Sequence, residues 1–149
     1  MDIKEKLHTH CLKLMEDKIL SHQAALNSIE ESRNNETKSS AGDKYETSRA
    51  MLHIEEEKMR GQLGKTRELK LLLEKINPHD KFEEVTLGCL LIAAQGKYFI
   101  SVPIGKVVLE SETYFCISMA SPIGKQLRGK KKGEEISFGD RKIKILDIL

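Results

Sequence analysis

The chain has 149 residues, 32% of them charged and only 5% aromatic, with no tryptophan. That balance suits long solvated helices beside a small core, and no apolar stretch approaches the length of a membrane span. A net charge of +2 sets up no strong global field toward nucleic acid.

From Ile3 to about Glu31 the apolar residues recur at helical spacing. Ile3, Leu7, Cys11, Leu14, Ser21, Ala25 and Ser28 trace one seam, and Met15, Ile19, His22, Leu26 and Ile29 broaden it. No proline or glycine interrupts this stretch. Residues 33–46 are polar. Asn34, Asn35, Ser39, Ser40 and Gly42 disfavour a helix interior, so they predict the turn of a helical hairpin. A second helix is expected from about Asp43 to Ile76. Tyr45, Leu52, Met59, Thr66 and Leu73 recur every seven residues, and Ser48, Glu55, Leu63, Leu69 and Ile76 fill the other seam position. Gly61 and Gly64 mark a site of bending or close helix approach, and Asn77-Pro78 ends the pattern.

After Pro78 the apolar period falls to two. Strands are expected in Val85–Ala93, Tyr98–Val102, Val107–Leu109 and Tyr114–Ser118, followed by a hairpin of Glu135–Phe138 and Arg141–Leu146 about a Gly139-Asp140 turn. Ser121 suits a helix N-cap, Pro122 the first helical position and Gly129 a stop, so one or two helical turns precede that hairpin. The fold class is therefore α+β. An antiparallel coiled-coil hairpin is expected over residues 1–77, with its polar tip at 33–46, and a small, mainly antiparallel β domain with one short helix over 78–149.

Cys11, Cys89 and Cys116 are odd in number, far apart and set in apolar patterns, so they read as buried thiols in a reducing compartment. The N-terminus lacks the apolar run of a signal peptide, and a cytoplasmic protein is expected. His8 and His10 face different sides of a helix, and His22, His53 and His79 stand isolated, which argues against a histidine metal site. No phosphate loop, nucleophile elbow or Cys/His pair is present, so the chain is not expected to be an enzyme or to bind a cofactor by itself. Tyr98, Phe99, Tyr114, Phe115 and Phe138 are mostly accounted for by strand cores, which argues against an aromatic-lined catalytic pocket.

The run Ser121-Pro122-Ile123-Gly124-Lys125-Gln126-Leu127-Arg128-Gly129-Lys130-Lys131-Lys132-Gly133-Glu134 closely resembles the signature of the Gre-type transcription elongation (transcript-cleavage) factors, and Lys142–Ile148 resembles that family's last strand. The resemblance implies an FKBP-like C-terminal domain that docks on bacterial RNA polymerase through Ser121, Pro122, Ile123, Gly124 and Lys125. It also implies a hairpin inserted in the secondary channel, where acidic tip residues reach the active-site magnesium and contact with nucleic acid is indirect. This tip departs from the family. Anchored on Tyr45, Lys38 and Ala41 stand where the family has Asp and Glu. The carboxylates present are Glu36, Asp43 and Glu46. Asp43 and Glu46, three apart, fit either joint binding of a cation or a capping box. The resemblance thus implies a transcription elongation regulator that binds the polymerase and stimulates cleavage of backtracked RNA, while the departure at the tip favours weak or absent stimulation. The alternatives are a non-cleaving occupant of the same channel, or a structural coiled-coil adaptor without a polymerase role.

Overall fold

A computed structural model describes the backbone of residues 2–37 and 42–149, and the side chains of residues 2–35 and 46–149. Two long helices, α1 (Ile3–Thr37) and α2 (Gly42–Glu74), precede six strands and one short helix. The strands are β1 (Leu90–Ala93), β2 (Gly96–Ile100), β3 (Gly105–Leu109), β4 (Glu112–Ile117), β5 (Glu135–Phe138) and β6 (Arg141–Ile148), with α3 (Pro122–Leu127) between β4 and β5. An α+β fold with a helical hairpin and a sheet bearing one short helix is what the change of period predicts. Two compact units result: residues 13–70, and residues 1–12 together with 71–149.

In the helical unit the two helices run antiparallel. Arg60 lies 3.8 Å from Glu30, Arg67 donates to Gln23 at 3.5 Å, and Lys70 reaches Glu16 at 4.0 Å. The seam differs from the expected one by about one position. Met15 and Leu26 are buried on α1, whereas Ser21 and Ser28 are exposed. On the part of α2 in this unit, Glu56, Leu63 and Thr66 are the buried positions among the described residues, and Glu55 faces solvent. Glu56 enters the seam because two arginines meet it there: Arg33 donates to one carboxylate oxygen, and Arg60 donates to the other at 2.7 Å. Thr66 satisfies its hydroxyl on the Gln62 carbonyl at 2.9 Å. Gly61 and Gly64 do not mark close approach, since a Cβ at either would meet nothing within 4 Å.

Helical backbone also reaches further into residues 33–46 than the sequence suggests. Helix α1 runs through Asn34 and Asn35 to Thr37, and α2 begins at Gly42. Asparagine costs at most about 0.7 kcal/mol per residue relative to alanine, and an established helix propagates readily through such a cost.

In the second unit the six strands form one sheet in the order β3-β4-β2-β1-β6-β5. All neighbours are antiparallel except β2 and β4, which pair in parallel with Tyr98 opposite Phe115 and Phe99 opposite Cys116. The parallel pair arises because β3 hairpins tightly onto β4 at the sheet edge, which sends β4 back alongside β2. That tight turn holds Glu110 and Ser111 at φ of 51° and 65°. Strand β1 is shorter than expected. Gly88, at φ 92°, turns the chain and donates to the Ile100 carbonyl at 2.7 Å, so residues 85–89 precede the strand as a loop.

One sheet face carries Leu91, Ala93, Ile143 and Ile145, packed with Val85, Leu127 and Ile136. The other carries Leu90, Phe99 and Cys116, and here Cys11 of α1 brings its sulfur to 3.7 Å from that of Cys116. His8 of α1 hydrogen-bonds the Leu73 carbonyl of α2 at 2.7 Å. Leu7, Cys11, Leu73 and Ile76 are all buried within this unit, so the first turns of α1 and the last turn of α2 serve the sheet's core. All three cysteines are buried free thiols.

Candidate partner-docking site

The turn before α3 is built from serine hydroxyls and one glycine. Ser121 stands at the N-cap in extended conformation, with Pro122 in the first helical position. Its hydroxyl donates to the Ser118 carbonyl at 2.6 Å and accepts from the Gly124 amide at 3.1 Å. The Ser121 amide also donates to Ser118 O at 3.1 Å, and the Ser118 hydroxyl accepts from the Ala120 amide at 3.0 Å. Gly124 is buried against this turn. A Cβ there would overlap the Ser118 carbonyl oxygen and lie 2.9 Å from Ser121 Oγ and 3.0 Å from the Met119 Cα. At the other end the Arg128 amide caps onto the Gly124 carbonyl at 3.0 Å, and Gly129, at φ 76°, takes the left-handed conformation that stops the helix.

Internal geometry therefore accounts for Ser121 and Gly124. Pro122 and Lys125 are exposed. Ile123 is half-buried and packs against the core, so it is less free to meet a partner than its place in the sequence suggests. It forms part of the wall of a hollow of about 470 Å³ on the sheet face beside α3, together with Tyr98, Phe115 and Phe138. Tyr98 and Phe115 stack at a centroid distance of 5.7 Å and a tilt of 31°. Of the five strand aromatics, Phe99 and Tyr114 are fully absorbed in the core, and Tyr98 and Phe138 pack against it while partly exposed. Tyr98, Phe115 and Phe138 line a concave surface, because alternation along β2, β4 and β5 turns them to the α3 side.

Of the tip candidates, the side chains of Glu36 and Asp43 lie outside the described residues, as do Lys38 and Ala41. The backbone of Asp43 belongs to α2, one residue past the helix start at Gly42, and Glu46 is an exposed helical residue.

His79 is not isolated in space. Its Nε2 lies 2.7 Å from a Glu5 carboxylate oxygen, and the ligand atoms of Asp2, Glu5 and His79 all fall within 4.8 Å of one another. Asp2 already accepts the Glu5 amide at 2.8 Å as the cap of α1. Glu5 and His79 stand 74 positions apart in the chain, so no local pattern announced this meeting.

The fold and the turn together define a class: an α+β protein in which a helical hairpin accompanies a six-stranded mixed sheet with one short capped helix. No family model matches the chain, and no curated protein matches it. Among solved structures, one described as "Structure of the transcription factor Gfh1" aligns over 92% of both chains, with a TM-score of 0.37 and 15% sequence identity. No helix among the described residues is long and apolar enough to cross a membrane.

Proposed function

We propose that this chain is a transcription regulator that binds bacterial RNA polymerase through the Ser121–Lys125 turn and places the tip of its helical hairpin in the polymerase's secondary channel. In this reading residues 78–149 are the docking part, residues 1–77 supply the hairpin, and the protein works in the cytoplasm. One observation carries it: the run that resembles the Gre-type signature folds into a locked turn that presents an exposed proline. Ser121 and Gly124 are consumed by the lock, whereas Pro122, at the first helical position, leaves its ring exposed.

Asp43 and Glu46, three apart within α2, share a helix face by spacing, which suits two oxygen ligands on one cation. A magnesium ion held jointly with the polymerase would supply activation of a water for phosphodiester cleavage. Lys38 and Ala41, where the resemblance would place acids, favour weak or absent stimulation. The protein is a regulator without catalysis of its own, and any cleavage is the polymerase's chemistry.

The test is binding to core bacterial RNA polymerase by wild type and Pro122→Glu. Glutamate suits the first turn of a helix, so this variant keeps α3 while charging the proposed contact. A drop in affinity of at least tenfold is expected, and equal affinity removes the turn from the interface. Cleavage of backtracked RNA by wild type, Asp43→Asn and Glu46→Gln then decides the tip. Strong wild-type cleavage lost in both variants makes the two carboxylates participants, and no cleavage with polymerase still bound makes the hairpin a non-cleaving occupant.

A further inference from the structure

The hollow beside α3 is more apolar than a solvated sheet face requires. Its walls are Tyr98, Phe115, Ile117, Ile123, Phe138 and Ile143, with Gln95 and Arg141 at the edge. Phe115 is 36% exposed, and Val108, on the same sheet face one strand further out, is 57% exposed. Cross-strand register places two cations on this face. Lys106 sits opposite Phe115 across the β3–β4 pair, and Arg141 sits opposite Phe138 across the β5–β6 pair, so each cation shares a face with an aromatic. Both cations are exposed, and among the described residues neither has a carboxylate partner, although Asp140 is the neighbour of Arg141. By contrast, Lys97, on the opposite face of β2, is paired with Glu112.

An apolar concavity with one unpaired cation at its edge and a second on the same sheet face is a receptor for its complement. We infer that this hollow binds a protein segment presenting one bulky apolar side chain flanked by carboxylates. The apolar side chain enters between Tyr98, Phe115 and Ile123, and the carboxylates meet Arg141 and Lys106. Single-stranded nucleic acid is disfavoured as the occupant. Base stacking needs open ring faces, whereas here Tyr98 and Phe138 are half-buried and the remaining wall is branched aliphatic. The inference needs no polymerase and stands apart from the preceding reading, though Ile123 links the hollow to the α3 turn.

The experiment uses the whole chain, labelled with ¹⁵N, in two-dimensional NMR titrations without polymerase. The probes are acetyl-Glu-Glu-Phe-Glu-amide, the charge-reversed acetyl-Lys-Lys-Phe-Lys-amide, and an oligouridine. Saturable shifts confined to the amides of the hollow are expected with the acidic peptide, and at least tenfold weaker binding with the basic one. Arg141→Glu, at an exposed position, should weaken the acidic peptide at least tenfold, strengthen the basic one and leave the rest of the spectrum unchanged. Equal affinity for the two peptides, no saturable shift at the hollow, or tighter binding of oligouridine there would each overturn the inference. Because polymerase is absent, its failure leaves the Pro122→Glu binding result unaffected.

Discussion

The same substitution, glycine to alanine, should act with opposite signs at two places in this chain. At Gly124 an added methyl group overlaps the Ser118 carbonyl oxygen and crowds the Met119 Cα. Both obstacles are backbone, so no side chain can swing aside and α3 itself must move. Overpacking of this kind costs about 1–3 kcal/mol. The movement also stretches the two hydrogen bonds of the Ser121 hydroxyl, now 2.6 and 3.1 Å, and losing a cap costs about 1 kcal/mol. The better helix propensity of alanine returns up to about 1 kcal/mol, leaving a net destabilisation of roughly 1–3 kcal/mol. At Gly61 a methyl group meets nothing, so only the propensity gain remains, and stability should rise by about 0.5–1 kcal/mol. Urea unfolding is the assay. Tyrosine fluorescence reports on the sheet through Tyr98 and Tyr114, and far-UV circular dichroism reports on the helices. Gly124→Ala within about 0.5 kcal/mol of wild type, or Gly61→Ala destabilising, would refute the steric reasoning.

Four further outcomes follow from particular contacts. Ser111→Gly should stabilise the sheet by about 1 kcal/mol, because Ser111 holds a left-handed φ of 65° that glycine adopts without strain; thermal unfolding measures it. Ser121→Ala should cost about 1 kcal/mol of stability and increase hydrogen exchange at the Gly124 amide, its capped partner. Burial pushes the Cys89 thiol up to about 11, so it should resist a thiol reagent at pH 8 in the native state. A raised thiol pKa contributes stability below about pH 9 that is lost as pH rises toward 11, and Cys89→Ala should flatten that decline. The hydrogen bond from Arg60, followed by the charge of Arg33, holds the Glu56 carboxyl below the usual carboxylate range. Its stabilisation is present above about pH 4.3 and lost as pH falls through the lowered value, so the helicity difference between wild type and Glu56→Gln should vanish in acid.

The features legible in the sequence are those set by neighbours in the chain. The fall in apolar period near Pro78, the Ser121-Pro122 helix start and the Gly129 stop all appear where expected. So does the two-residue turn at Gly139-Asp140, with Phe138 paired to Arg141 and Gly139 at φ 60°. The features that escaped depend on long-range register. Nothing local says that β4 runs parallel to β2, that His79 meets Glu5, or that three of five aromatics face a hollow. The hairpin turn illustrates a different failure. Residue preference counted Asn34 and Asn35 as breakers, but preference is a small energy beside the cooperativity of a helix already more than thirty residues long.

The Glu55 and Glu56 pair shows why the seam could not be read from spacing alone. Both are glutamates, adjacent, and equally unlike a core residue, so the heptad count has no means of choosing between them. Charge on the facing helix makes the choice. Arg33 approaches from α1, and Arg60 sits one turn further along α2, on the same face as Glu56 and not of Glu55. A seam with few large apolar residues slides easily between registers, because sliding sacrifices little packing. A buried carboxylate held by two guanidinium groups changes that, since any other register strands a charge away from water without partners. Polar residues inside a helical seam specify alignment in this way at some expense of stability. The consequence for function is positional: the network at Arg33, Glu56, Arg60 and Glu30 fixes which residues of α1 and α2 lie opposite one another immediately before the tip.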